Sequence, residues 1–201
     1  MRLWFKSGLE VRAPGLAIRR QTRHTGPMTS PRLRTSPRLT FVLGGARSGK
    51  SRHAEALISA HPAPWTYIAT AQAFDEEMRD RIADHQARRD ESWRTVDAPL
   101  ALPEAISAAK GPILVDCLTL WLTNLMLGKH ALQPAFARLA EALASTPGPV
   151  VLVSNEVGLS IVPDNALARA FRDEQGRLNQ QIAALADRVV FMVAGLPMVV
   201  K

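Results

Sequence analysis

Residues 44–51 read Gly-Gly-Ala-Arg-Ser-Gly-Lys-Ser, and this spacing of glycines, lysine and serine is that of the Walker A phosphate loop. Glycine accepts backbone conformations that a Cβ forbids, so successive N–H groups can converge on phosphate oxygens. Lys50 would neutralise the β- and γ-phosphates, and the Ser51 hydroxyl would be a ligand of Mg²⁺. We therefore predict that eight residues bind a nucleotide: Gly44, Gly45, Ala46, Arg47, Ser48, Gly49, Lys50 and Ser51.

An ordinary glycine-rich turn between a strand and a helix is the alternative explanation of this segment. Such turns are common, but they give no reason for a lysine and a serine at these two positions. ATPases, kinases and nucleotide switches all share the motif, so it predicts a bound nucleotide without choosing the reaction.

A carboxylate that could complete a metal site follows a later apolar run. Asp116 comes directly after Ile113–Val115, where a second acid of the Walker B type is expected. The same residue could also cap the helix that begins at Leu118, and the two roles are compatible. We predict that Asp116 and Ser51 hold the Mg²⁺ ion.

A histidine lies among charged side chains on the segment 81–89. Arg81, Asp84, His85, Arg88 and Arg89 recur at helical spacings of three and four residues. A neutral imidazole can attack phosphorus, and neighbouring arginines would stabilise the charge that develops there. A surface histidine more often has no catalytic role, so the spacing alone leaves both interpretations open.

Apolar runs and amphipathic stretches alternate from Leu39 onward, which is typical of an α/β domain. Strands are predicted at Leu39–Leu43, Trp65–Thr70, Ile113–Val115, Pro149–Ser154 and Arg188–Val193, with a short edge strand at Met198–Val200. Helices are predicted at Ser51–Ala60, Asp75–Arg89, Leu102–Ala109, Leu118–Leu127, Pro134–Leu143 and Ala166–Leu185. Because the strands are continuous apolar runs, we predict a mostly parallel sheet with helices on both faces, of the RecA-like, P-loop NTPase type.

The net charge of +7 is concentrated at the start of the 201-residue chain. Residues 1–39 hold nine basic side chains and one acid, whereas residues 40–201 hold 16 basic and 17 acidic ones. Residues 1–38 are therefore predicted to be a basic, disordered extension, and residues 39–201 a single catalytic domain. Two interpretations of the extension stay open. Its composition resembles that of a transit peptide, and alternatively the protein starts at Met28 and the upstream residues are dispensable. Since the basic charge belongs to the extension, no nucleic-acid partner is predicted.

Cysteine content and hydropathy indicate the compartment. Cys117 is the one cysteine, which excludes an internal disulfide and suits a reducing cytoplasm. No apolar run approaches the roughly 20 residues of a membrane-spanning helix. A cytoplasmic protein is predicted.

Several segments together resemble one family, the bifunctional adenosylcobinamide kinase / adenosylcobinamide-phosphate guanylyltransferases of cobalamin biosynthesis. The most specific are GGARSGKSRHAE at residues 44–55, RIxxHxxRR at 81–89 and NEVGxxIVP at 155–163. YIAT at 67–70, LVDCLTLWLTN at 114–124 and LARAFRDEQGRLNQ at 167–180 also match. The resemblance extends from about Leu39 to Lys201 and leaves the basic extension without a counterpart.

The resemblance implies two reactions at one nucleotide site. Adenosylcobinamide is phosphorylated with ATP or GTP, and GMP is then transferred from GTP to that phosphate through a GMP–histidine intermediate. His85 matches the histidine of the family. The positions that match nucleotide contacts are Ile68, Ala69, Thr70, Gln86, Ala87, Arg88, Arg89, Asp97 and Asp116, which is Glu in some members. The resemblance further implies a corrinoid substrate and a homo-oligomer, suggested to be a trimer.

Other functions stay open from the residues themselves. The chain could be a P-loop kinase of small molecules without guanylyltransferase activity, or a protein that is not an enzyme, either a nucleotide switch or a basic nucleic-acid binder. The preferred phosphate donor, ATP or GTP, and the corrinoid-contacting residues are not predicted. For the segment Ser154–Asn165 we expect a substrate contact or a subunit contact, without a choice between them.

Overall fold

The computed structural model describes residues 36–73, 76–87 and 89–201, and over these ranges the chain alternates between strands and helices. The strands are β1 Leu39–Gly44, β2 Trp65–Ala69, β3 Trp93–Asp97, β4 Ile113–Asp116, β5 Val150–Asn155, β6 Arg188–Val193 and β7 Leu196–Val199. The helices are α1 Lys50–Ser59, α2 Glu76–Ala87, α3 Leu102–Ala108, α4 Leu118–Leu127, α5 Leu132–Ser145 and α6 Ala166–Leu185.

The strands form one sheet in the order β3-β2-β4-β5-β1-β6-β7. All neighbouring pairs are parallel except β6 and β7, which form an antiparallel hairpin. The predicted α/β class with a mostly parallel sheet is confirmed. β5 lies between β1 and β4, so the carboxyl ends of these three strands meet at one edge, where α/β proteins commonly bind ligands.

Two apolar clusters lie on opposite faces of the sheet, because alternate strand residues point to opposite sides. Helices α3, α4, α5 and α6 cover one face, where Trp121 is fully buried. Helix α1 covers part of the other face and packs over β1, β4 and β5. The prediction of helices on both faces is therefore confirmed, and α1 is the helix that carries the end of the phosphate loop.

Two elements at the sheet edges differ from the prediction. Strand β3 was not predicted, because its five residues are half-buried or exposed without regular alternation and lack an apolar run. The last strand begins two residues earlier than predicted, at Leu196, because the turn at Ala194 and Gly195 takes positive φ values and reverses the chain at once. Each difference lies on an edge strand, where burial gives the weakest sequence signal.

The predicted extension over residues 1–38 lies outside the described residues, apart from residues 36–38. Arg38 donates hydrogen bonds to the carbonyls of Leu143 (2.6 Å) and Thr146 (3.1 Å) at the end of α5. Its own carbonyl accepts a hydrogen bond from the Val150 N–H at 2.7 Å. Arg38 therefore ties the beginning of β1 to the α5–β5 connection.

Within the described ranges, no helix is both long and apolar enough to cross a membrane.

Candidate active site

The phosphate loop joins β1 to α1 in the strand–loop–helix arrangement that the Walker A motif requires. Gly49, the residue before α1, has φ 89°, and Arg47 has φ 55°, so both take the left-handed conformation. The Ser48 N–H donates to the Gly45 carbonyl at 3.3 Å and closes the turn. Positive φ at Gly49 lets the chain enter the helix with its first N–H groups facing the loop, which suits an anion.

Gly44 is required by close packing rather than by its φ angle. A Cβ at this position would lie 2.5 Å from Ser48 Oγ and 3.0 Å from both Cβ and the carbonyl oxygen of Met192. Met192 is the neighbour of Gly44 in the register of β1 with β6. By contrast, a Cβ on Gly45 would have no atom within 4 Å. The two glycines of the motif thus have different roles in this fold.

Lys50 is the first residue of α1, and its Nζ donates to the Gly45 carbonyl at 2.9 Å. Burial lowers the pKa of Lys50, while the neighbouring charge of Asp116 raises it and opposes part of that effect. The lysine is therefore a partly desolvated cation close to Asp116. Such a charge attracts a phosphate more strongly than a fully solvated one, because the local dielectric is lower.

Asp116 ends β4 two strands from the phosphate loop, and its Oδ2 accepts a 2.9 Å hydrogen bond from the Tyr67 hydroxyl. The strand register aligns Asp116, Ala69 and Asp97 in one row across β4, β2 and β3. Asp97 is exposed at the end of this row. The register brings these three predicted site residues to the same edge of the sheet as the loop.

The turn after Asp116 is fixed by Thr70 and includes a cis peptide bond between Asp116 and Cys117. The Cys117 N–H donates to Thr70 Oγ1 at 2.9 Å, and Thr70 Oγ1 donates to the Cys117 carbonyl at 2.7 Å. Asn124 Nδ2 donates to the Thr70 carbonyl at 2.8 Å. Because Thr70 and Ile68 are fully buried, these two predicted nucleotide contacts lie behind the site surface and hold its backbone in place. Burial also raises the pKa of Cys117 to about 12, so its thiol stays protonated.

Helix α2 carries His85, Gln86 and Ala87 in its last turn. Gln86 and Ala87 are exposed, and Arg88 lies outside the described residues. The Arg89 guanidinium stacks over the Tyr67 ring, with 3.7 Å between its Cζ and the ring centroid, a cation–π contact. Through Arg89 and Tyr67, the end of the histidine helix is connected to Asp116.

The described side chains contain no cluster of three His, Cys, Asp or Glu residues that could hold a metal. The donors predicted from the sequence are one hydroxyl, Ser51, and one carboxylate, Asp116. This set fits Mg²⁺, which prefers oxygen ligands and usually keeps waters and substrate phosphates in its shell. It does not fit a metal held by protein ligands alone.

A buried polar network that the sequence reasoning missed supports the end of β5. Gln175 Nε2 donates to Ser154 Oγ (3.0 Å) and to Asn179 Oδ1 (2.9 Å), and Ser154 Oγ donates to Asn179 Oδ1 (2.8 Å). The Asn155 N–H donates to Thr119 Oγ1 at 2.8 Å, and Asn179 Nδ2 donates to the Asn155 carbonyl at 3.1 Å. Because Asn155 pairs with Gly44, the network sets the position of the strand next to the loop.

Tyr67 was also missed as a site residue, although the sequence contains a signal for it. Tyr67 lies in an apolar strand between two other strands, where the phenol of a buried tyrosine needs a hydrogen-bond partner. Both strands next to β2 end in an aspartate, Asp97 on β3 and Asp116 on β4, and Asp116 accepts that hydrogen bond. The pairing could have been predicted only if the order of β2 and β4 had been known.

Comparison with known proteins gives one consistent result. A family model described as cobinamide kinase / cobinamide phosphate guanyltransferase matches residues 40–200. The bifunctional adenosylcobalamin biosynthesis protein CobP of Pseudomonas aeruginosa is 52% identical over 166 residues, which cover 80% of this chain and 96% of that protein. The proteins named CobU in Escherichia coli K12 and Salmonella typhimurium LT2 are each 42% identical over 181 residues, which cover 81% of this chain and 99% of each relative. The family match thus includes every strand and helix described above except the first residue of β1.

Proposed function

The chain belongs to the cobinamide kinase / cobinamide phosphate guanyltransferase family, and we propose that one nucleotide site, built on its phosphate loop, carries out both reactions. The first reaction transfers a phosphoryl group from ATP or GTP to the hydroxyl of adenosylcobinamide. The second transfers GMP from GTP to the new phosphate and releases pyrophosphate. Residues 39–201 form the single catalytic domain in this proposal.

The phosphates of the nucleotide are held by backbone and charge. The loop N–H groups and the N-terminus of α1 present positive dipoles to the triphosphate. Lys50 adds a full positive charge and exchanges its hydrogen bond to Gly45 for one to a phosphate oxygen. Mg²⁺, when bound by Ser51 and Asp116, would neutralise charge on the β- and γ-phosphates.

In the kinase reaction, the substrate hydroxyl attacks the γ-phosphorus in line with the departing β-phosphate oxygen. The new P–O bond forms as the old one breaks, and the hydroxyl proton is released to solvent or to a basic group. Lys50 and the loop amides stabilise the charge that develops between the β- and γ-phosphates. This step requires positioning and electrostatics rather than a covalent intermediate.

In the guanylyl reaction, we propose that the neutral imidazole of His85 attacks the α-phosphorus and pyrophosphate leaves. The phosphate oxygen of the phosphorylated substrate then attacks the same phosphorus, and the imidazole leaves and is regenerated. The intermediate divides one difficult exchange into two easier ones. Gln86, Ala87, Arg88 and Arg89 follow the nucleophile and are proposed to contact the nucleotide, as are Ala69 and Asp97 at the strand ends. The buried residues Ile68 and Thr70 are proposed to support this surface from behind.

The observation that carries this proposal is an indirect link between the end of the histidine helix and Asp116. Arg89, two residues after the end of α2, stacks on Tyr67, whose hydroxyl donates a hydrogen bond to Asp116. A phosphate loop belonging to a kinase alone would give no reason for a histidine helix to be anchored at the metal-binding acid.

Assembly and location are also proposals. We place the enzyme in the cytoplasm as a homo-oligomer, with the trimer as the state that the family resemblance implies. Its partners in this proposal are a corrinoid and nucleoside triphosphates, without nucleic acid. Light scattering on the purified protein would give the oligomeric state directly.

A labelling experiment separates the two activities. Incubation with adenosylcobinamide, Mg²⁺ and γ-labelled ATP or GTP should give a labelled phosphate ester. Addition of α-labelled GTP should then convert this ester into adenosylcobinamide-GDP. Label from the γ-position without any from the α-position would restrict the function to that of a kinase. No label from either would overturn the proposal.

A further inference from the structure

Tyr67 lies inside the sheet and is held on several sides. Its side chain is 4% exposed, in the middle of β2 between β3 and β4. The Trp93 ring meets the Tyr67 ring edge to face, with centroids 6.2 Å apart and an interplanar angle of 81°. Trp93 in turn packs on Trp65 at 5.1 Å. The phenol ring therefore has little freedom to rotate.

The hydroxyl of Tyr67 has a fixed role as a donor. It donates to Asp116 Oδ2 at 2.9 Å, a length typical of a hydrogen bond to a carboxylate. Asp116 is a carboxylate, so the Tyr67 hydroxyl is the donor of this bond and presents its proton to Asp116.

Arg89 covers the face of the same ring. Its Cζ is 3.7 Å from the ring centroid, and its Nη1 is buried without a hydrogen-bond partner among the described residues. A guanidinium with a buried, unpaired N–H is costly unless another group pairs with it in the working state. Phosphate oxygens are the partners that arginine binds best.

We propose that Tyr67 is a positioning residue that orients Asp116 for the metal–nucleotide complex and holds Arg89, at the end of the histidine helix, against the same site. Its hydroxyl acts on Asp116 and its ring face acts on Arg89. One side chain thereby links the group that positions the triphosphate to the helix that carries the nucleophile. This inference rests on the proposed function of His85 and Asp116.

Two substitutions separate the two contacts of Tyr67. Tyr67→Phe keeps the ring under Arg89 and removes the hydrogen bond to Asp116. Tyr67→Leu removes both. Trp65→Phe, in the same aromatic cluster, is the matched control for packing. It keeps Tyr67 and its bond to Asp116, and it removes the hydrogen bond from Trp65 Nε1 to the His61 carbonyl.

The first readout is the Mg²⁺ concentration that gives half-maximal GTP binding, measured by calorimetry. Loss of a group that orients a metal ligand typically costs 10- to 100-fold in metal affinity. We therefore expect Tyr67→Phe to raise this concentration by about tenfold or more, with GTP affinity in EDTA within about twofold of the wild type. Trp65→Phe should match the wild type in its Mg²⁺ requirement and in its GTP affinity in EDTA.

The second readout is the fraction of protein that carries GMP after GTP and saturating Mg²⁺, measured by mass spectrometry. At saturating Mg²⁺ we expect the fraction of Tyr67→Phe that carries GMP to approach that of the wild type. We expect the fraction of Tyr67→Leu that carries GMP to stay well below it. The melting temperature of each variant, measured without ligand, distinguishes loss of fold from loss of positioning.

An unchanged Mg²⁺ requirement in Tyr67→Phe would overturn the inference. A loss of GTP affinity in EDTA as large as the loss in Mg²⁺ would overturn it too. Wild-type protein that takes up no GMP would overturn the proposed function of His85. The Mg²⁺ titration still tests the action of Tyr67 on Asp116 in that case, because it needs no transfer of GMP.

Discussion

The backbone N–H of Gly195 donates to the Ser48 carbonyl at 3.1 Å, so the turn between β6 and β7 lies directly against the phosphate loop. The Gly195 Cα is also within 3.4 Å of the place that a Cβ on Gly49 would occupy. The loop is thus supported by the hairpin at one edge and by β5 and β4 on the other side. Its shape depends on packing within the protein as well as on its own glycines.

The packing of Gly44 predicts a difference between two neighbouring glycines. Gly44→Ala should lower the free energy of unfolding by about 1–3 kcal/mol, because the new Cβ overlaps Ser48 and presses on the Met192 backbone. Gly45→Ala should cost much less, since its Cβ meets no atom within 4 Å. Urea unfolding of both variants without nucleotide is the measurement. Equal stabilities would contradict the account.

Lys50 predicts how nucleotide affinity changes with pH. Lys50→Ala should weaken GTP binding roughly 10- to 150-fold, the value of a hydrogen bond to a charged group of about 1.5–3 kcal/mol. Because burial lowers the pKa of Lys50, its positive charge is lost as pH rises through a value below the ordinary 10.5. The GTP affinity of the wild type should therefore begin to decline at a lower pH than it would if Lys50 had the ordinary pKa of an exposed lysine.

The control for this pH effect is the variant itself. GTP affinity of Lys50→Ala, followed by calorimetry over the same pH range, should lack the alkaline decline. If wild type and variant decline in parallel, another group causes the effect.

The buried network at the end of β5 predicts a stability effect far from the nucleotide. Asn179→Ala should destabilise the protein by about 1–3 kcal/mol, because it removes the acceptor of the buried Ser154 hydroxyl, one of the two acceptors of Gln175 Nε2 and the side-chain donor to the Asn155 carbonyl. Gln180→Ala, exposed and adjacent on α6, should change stability by less than about 0.5 kcal/mol. Thermal unfolding compares the two, and a cost for Gln180→Ala as large as that for Asn179→Ala would argue against the network.

The basic extension should be dispensable for the two transfer reactions and responsible for any affinity for nucleic acid. Deleting residues 1–27 should leave both transfer reactions at the wild-type rate, because the family match begins at residue 40. Any affinity for nucleic acid should fall sharply with the deletion, since it removes six of the nine basic side chains of residues 1–39 and lowers the net charge from +7 to +2. Filter binding and the labelling assay test the two halves of this prediction. Loss of turnover on deletion would show that the extension belongs to the catalytic unit.

Most of the fold could be predicted because central strands and long helices leave strong patterns. Helices Leu118–Leu127 and Ala166–Leu185 and strand Arg188–Val193 begin and end at the predicted residues. Strand β3 was not predicted because an edge strand is only partly buried. Its sequence therefore shows neither an apolar run nor a clean alternation of apolar and polar residues.

The site was less predictable than the fold, for a physical reason. A local motif such as residues 44–51 shows itself in a short stretch of sequence, whereas Tyr67, Asp116 and Arg89 meet only through the strand order and the path of the chain after α2. Likewise, Thr70 matches a nucleotide contact of the family by position, but its hydroxyl is bonded to the backbone of Cys117. Contacts between distant residues of this kind require the tertiary structure.

The most direct test of the central claim is mass spectrometry of the protein after GTP and Mg²⁺. We expect one GMP per chain, attached to His85 through an acid-labile and base-stable bond, and absent in His85→Asn. The matched control is His130→Asn, which changes an exposed histidine outside the matching segments and should keep the label. No adduct in the wild type, or an adduct that persists in His85→Asn, would contradict the proposed mechanism.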